Sequence, residues 1–152
     1  MIKVPSRLTD PIFDENLKRG TVIKTLLNCS DGTQRPHYFI TISKLVEKNP
    51  LIFIIATSKT AFYDKNPSFN TDIIRIMSGE LSYFNRDTTI IDCRKLEKVN
   101  KEELKEHFQN NVLEFVGELP LKYLEKIDSM VRRTRHISLN DKLLILGEPP
   151  AT

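Results

Sequence analysis

The run Leu51-Ile52-Phe53-Ile54-Ile55-Ala56-Thr57 constrains this chain more than any other segment. Its apolar stretch is far shorter than the roughly 20 residues a membrane helix needs. It is β-branched, continuous rather than alternating, and bounded by Pro50 and by the polar Ser58-Lys59. That pattern predicts a strand buried on both faces, the core strand of a sheet.

The neighbouring segments read as further strands. Thr21 to Leu27 is β-branched and partly alternating, and Asn28-Cys29-Ser30-Asp31-Gly32-Thr33 is a turn with the Asp-Gly hairpin signal. The chain then enters a strand over His37 to Ile42, so two antiparallel neighbours are expected. Residues 58 to 70 read as a long polar loop. Ile73 to Ile76 and Thr88 to Asp92 follow as short strands, and Leu113 to Val116 as another, closed by Gly117. Asn100 is placed to cap a helix over Lys101 to Phe108, with Glu103 as capping-box partner. Leu121, Leu124, Ile127 and Val131 stand at helical spacing within Pro120 to Arg135. Lys142 to Leu146 reads as a last strand. Many short strands followed by helices predict a mixed, β-rich domain built as a bent sheet or small barrel with appended helices.

At 152 residues the chain suits one domain. Residues 1 to 18 read as an N-terminal arm with a short helix at Asp14 to Leu17, residues 19 to 147 as the domain, and residues 148 to 152 as a disordered end. The opening Met1-Ile2-Lys3-Val4-Pro5 has no signal-peptide core, so a cytoplasmic protein with no membrane partner is expected. Cys29 and Cys93 have neither CxxC spacing nor a histidine cluster, which argues against a structural zinc site and leaves no cofactor implied. A net charge of +3 is compatible with a polyanionic partner without demanding one.

No phosphate-loop, dinucleotide-binding, zinc-protease or nucleophile-elbow motif occurs, so the candidates are polar residues at the ends of apolar strands. Gln34-Arg35-Pro36-His37 precedes the second strand, and Thr57-Ser58-Lys59 follows the third. If those strands are neighbours, both clusters line one groove. Arg35 then offers a guanidinium fork suited to a phosphate, and Thr57 and Ser58 offer hydroxyls. A solvated or ion-paired Arg35 and turn-capping hydroxyls are the structural alternatives.

The order Arg19-Gly20-Thr21-Val22-Ile23, then Gln34-Arg35-Pro36, then Ala56-Thr57-Ser58, resembles the PemK/MazF family of toxin-antitoxin systems. The later Val99-Asn100-Lys101-Glu102-Glu103-Leu104, Val116-Gly117-Glu118-Leu119 and Leu124-Glu125-Lys126-Ile127-Asp128 resemble the same family's C-terminal half. The resemblance spans residues 19 to 133. The chain departs from the family pattern at Thr21 and Ile55, and Lys105 to Leu113 reads as an insertion.

The resemblance implies an SH3-like (PemK/CcdB-type) small barrel, a homodimer, and a metal-independent endoribonuclease that cuts single-stranded RNA and is restrained by an antitoxin protein. It maps the family's functional arginine onto Arg35 and its hydroxyl residue onto Thr57, with Ser58 adjacent. His37 or Asp92 would share the proton work, and Gln34, Lys59, Arg75 and Arg86 would hold RNA. The competing expectation is a non-catalytic SH3-like binding module, or a toxin that grips a protein such as a topoisomerase.

Overall fold

The computed structural model describes residues 6–25, 37–84 and 86–147. Its centre is a six-stranded antiparallel sheet made of β1 (Thr21–Thr25), β2 (His37–Thr41), β3 (Leu51–Thr57), β4 (Ile73–Met77), β5 (Thr88–Val99) and β6 (Leu113–Glu118). The strand order is β4-β5-β3-β2-β1-β6. Helices α1 (Ser6–Asn16), α2 (Ala61–Lys65), α3 (Lys101–Gln109), α4 (Leu121–Arg133) and α5 (Leu139–Leu146) complete the described fold, with a 3-10 helix at Pro67–Asp72.

The continuous apolar run of β3 has the physical cause expected of it. Ile52, Ile54 and Ala56 face a core shared with Tyr123, Leu124, Ile127 and Val131 of α4 and Ile145 and Leu146 of α5. Leu51 and Phe53 face the opposite core, with Phe13 of α1 and Leu104 of α3. Successive strand residues point to opposite faces, so a strand between two helical layers must be apolar at every position. This also explains why the small-barrel expectation fails as a closed structure. A barrel interior takes one face of its sheet, whereas here helices cover both, and β4 and β6 remain as separate edges.

Several local expectations change on folding. The anticipated loop after β3 contains α2 and the 3-10 helix, because Tyr63 buries its ring and its N–H and that of Asp64 both donate to the Thr60 carbonyl. The fifth strand does not stop at Asp92 but runs to Val99. Its first half pairs with β4 and the end of β3, its second half with the start of β3, and the register shifts between Ile54 and Ala56. Alternate charges in Lys95-Leu96-Glu97-Lys98 mask that second half in a linear reading.

Lys142 to Leu146 is helical rather than extended. Ser138 Oγ accepts from the Asp141 N–H at 3.1 Å, and Gly147 closes α5 in the left-handed conformation (φ 75°) with its N–H on the Leu143 carbonyl. These end signals outweigh an apolar run that fits either element. The N-terminal helix is also longer than Asp14 to Leu17, since Phe13 and Leu17, four residues apart, bury against the α3 side of the sheet. Asn100 caps α3 as expected, its side chain accepting from the Glu102 N–H at 2.8 Å. No described helix is long and apolar enough to cross a membrane.

The expected hairpin turn at Asp31-Gly32, Cys29, the pair Gln34 and Arg35, and residues 148–152 lie outside the described residues.

Candidate functional site

β2 and β3 are direct neighbours, with Tyr38 opposite Ala56, so the start of one strand meets the end of the other. This places His37 beside Thr57. A groove of about 450 Å³ opens at that end of the sheet, lined by Lys24, His37, Tyr38, Ala56, Thr57, Ser58, Lys59, Tyr83, Phe84, Arg86 and Thr89. Among the described residues, its lining contains Lys24, Lys59 and Arg86 as formal cations and no carboxylate.

The polar groups are anchored by the turn that ends β3. The Lys59 backbone N–H donates to Thr57 Oγ1 at 3.1 Å, which fixes the hydroxyl oxygen and leaves its proton for a further acceptor. Ser58 and Lys59 are exposed immediately beyond. His37 packs edge-on against Phe39, with ring centroids 6.1 Å apart. Lys24 reaches the groove because β1 pairs with β2 and sets it opposite Tyr38, where its Nζ lies 5.6 Å from the ring centroid.

An aromatic wall of Tyr38, Tyr83 and Phe84 lines the groove as well. Phe84 is buried and meets Tyr38 edge-on at 5.4 Å and Tyr83 at 4.8 Å. The Tyr83 hydroxyl donates to the Glu118 carbonyl at 2.7 Å. Burial foremost, and then the neighbouring Tyr123 and Glu118, push that hydroxyl up to about 12, so it stays protonated as a donor at neutral pH.

His37, Thr57, Ser58, Lys59 and Arg86 therefore line one groove. Arg75 does not join them. It projects from β4, with Nη1 3.3 Å from Asp64 Oδ1. Asp92 is 2% exposed and lies in a separate polar cluster. It accepts from the Tyr63 hydroxyl at 2.9 Å and from Arg94 Nη2 at 2.7 Å, while Arg94 stacks on Phe69 with its guanidinium carbon 3.6 Å from the ring centroid. Burial, reinforced by the bond to Asp92, pushes the Tyr63 hydroxyl upward.

Sequence reasoning missed Lys24, Tyr38, Tyr83, Phe84 and Thr89. The first two were within reach of a period-two argument, since antiparallel pairing of β1 with β2 brings alternate residues of both strands to one face. Tyr83 and Phe84 belong to a turn region whose path across the sheet end leaves no sequence signal. Among the described residues, no group of three or more histidine, cysteine, aspartate or glutamate side chains is arranged to hold a metal ion. No protein-family model matches the chain, and no curated protein matches it.

Proposed function

We propose that this protein binds single-stranded RNA in the groove between Lys24, Thr57 and Tyr83 and cleaves it as a PemK/MazF-like toxin. The observation that supports this most is the groove's lining: formal cations, hydroxyls, an imidazole and aromatic rings, with no carboxylate among its described residues. Such a surface favours a polyanion whose bases are accessible. Arg35 stands two positions before His37 in the chain.

RNA carries its own nucleophile. In the proposed reaction the 2′-oxygen attacks the adjacent phosphorus, the P–O5′ bond breaks, the 2′-proton leaves to a base, and a proton is delivered to O5′. Arg35 neutralises the charge that accumulates on the phosphorane oxygens. Thr57, its oxygen held by the Lys59 N–H, donates its proton to a phosphate oxygen. His37 performs one proton transfer, and solvent in the open groove performs the other. The products carry 2′,3′-cyclic phosphate and 5′-hydroxyl ends. An SH3-like curvature of the sheet, a homodimer and an acidic antitoxin belong to the same proposal.

The test is incubation of a long single-stranded RNA with the folded protein in EDTA, followed by mapping of cut sites and end groups. Discrete cuts with cyclic phosphate ends are expected. Intact RNA after exposure to folded protein would instead favour the non-catalytic binding module.

Lys24 supplies a second check on the same surface. Its removal should weaken binding of every RNA sequence alike and reduce the slope of log affinity against log salt by about 0.7, the share of one phosphate contact on a single strand. Titrations of Lys24→Ala and wild-type protein across a salt series measure this. Parallel slopes would remove Lys24 from the RNA path.

A further inference from the structure

The aromatic wall has a construction that simple core packing does not require. Tyr83 is only half-buried and lines the groove, yet it is fixed at two points. Its hydroxyl is tied to the Glu118 carbonyl of β6 at 2.7 Å, and its ring lies directly over Gly117. A Cβ built on Gly117 would stand 2.7 Å from Tyr83 Cε1 and 2.8 Å from Cδ1, closer than side-chain atoms can approach. The missing side chain at Gly117 is therefore what lets the ring settle against the sheet edge.

The other rings leave Tyr83 available. Phe84 meets Tyr83 at an interplanar angle of 78° and Tyr38 at 89°, so it abuts both without stacking parallel on either. The Tyr38 ring already has the Lys24 ammonium over it. Among the described residues, no parallel ring covers Tyr83. A rigid aromatic plane beside cations suits a nucleobase, because stacking orders no further side chain and every base presents a flat π face.

We infer that Tyr83 is the stacking plate of a base subsite, which receives one unpaired base while Lys24 and Arg86 hold the adjoining phosphates. This rests on the RNA reading above and adds to it that the groove recognises the base as well as the backbone. A base inside a duplex keeps both faces against its neighbours, so the subsite selects single strands.

The experiment compares binding of a short oligoadenylate, 2′-O-methylated so that it cannot be cut, with an abasic ribose-phosphate chain of equal length and charge. Wild-type protein should bind the oligoadenylate about tenfold to a hundredfold more tightly, the range expected for one base stacked on an aromatic ring. Tyr83→Leu should remove most of that difference while leaving the abasic chain's affinity unchanged. Tyr83→Phe, which keeps the ring, should retain it. Gly117→Ala, which drives the ring from its seat, should behave like Tyr83→Leu.

Equal wild-type affinity for the two chains overturns the base subsite and leaves a backbone-binding groove intact. A preference for the oligoadenylate that survives Tyr83→Leu assigns the base contact elsewhere and overturns the role of Tyr83. Binding of neither chain overturns the subsite together with the RNA reading.

Discussion

Replacing Arg35 with alanine is expected to lower RNA cleavage by about 100- to 1,000-fold, the usual consequence of deleting one preorganised electrostatic stabiliser. Negative charge grows on the nonbridging oxygens as the 2′-oxygen adds to phosphorus, and a guanidinium fork offers two donors to that developing charge at once. On the proposed reading ground-state binding changes less, because Lys24, Lys59 and Arg86 of the groove would still hold the backbone. The measurement is single-turnover cleavage of one defined RNA by wild-type and variant protein, with a thermal melt to show that both are folded. Arg35→Lys should recover only part of the rate, since an ammonium keeps the charge and loses the fork. A folded Arg35→Ala protein that cuts at near wild-type speed would remove Arg35 from the chemistry.

Asp92→Ala is expected to cost about 3–5 kcal/mol of folding stability, the range for breaking a buried ion pair from one side. The carboxylate accepts from the Arg94 backbone N–H and from Arg94 Nε, each at 3.0 Å, in addition to the Tyr63 hydroxyl and Arg94 Nη2. Deleting it leaves a guanidinium that is only 18% exposed, and a buried phenol, without that acceptor. Urea unfolding of the variant and of the double variant Asp92→Ala/Arg94→Ala measures the effect. The double variant should be the more stable of the two, because it no longer strands the cation.

This prediction also separates structure from chemistry. The isosteric Asp92→Asn keeps an acceptor oxygen but cannot take a proton at neutral pH. If Asp92 holds α2 and the 3-10 helix to the sheet, folded Asp92→Asn protein should still cut RNA. Loss of cleavage with an unchanged melting profile would return Asp92 to the proton-transfer step.

The two acidic and basic candidates on β4 and β5 show where a linear reading runs out. Arg75 and Asp92 have the residue types that RNA chemistry uses, and each stands on a strand near the relevant sheet end. Their use is set by what folds against them. Asp64 of α2 lies within ion-pairing distance of Arg75, and Arg94, two residues after Asp92 on the same strand, wraps back onto its carboxylate. Asp64 could not be assigned to Arg75 while residues 58 to 70 read as a loop, and the contact of Arg94 with Asp92 depends on how β5 bends beyond Asp92. By contrast, Thr57, Ser58 and Lys59 were legible as polar groups at a strand end because β3 is so strongly apolar that its polar end must emerge at the sheet margin.

The sequence by itself determined the strand backbone of the fold. The seven-residue core strand, its neighbour from His37, the capped helix after Asn100 and the amphipathic helix before Arg133 follow from local periodicity and end signals, which act over a few residues. The tertiary structure alone decided which strand ends meet, that helices cover both faces and leave the sheet open, and that Tyr83 lines the same groove as Thr57. The physical reason lies in range. Periodicity records which face of an element avoids water, but not which distant element covers that face. The seat of Tyr83 on Gly117, 34 positions away in the chain, arises only when β6 pairs with β1 at the sheet edge.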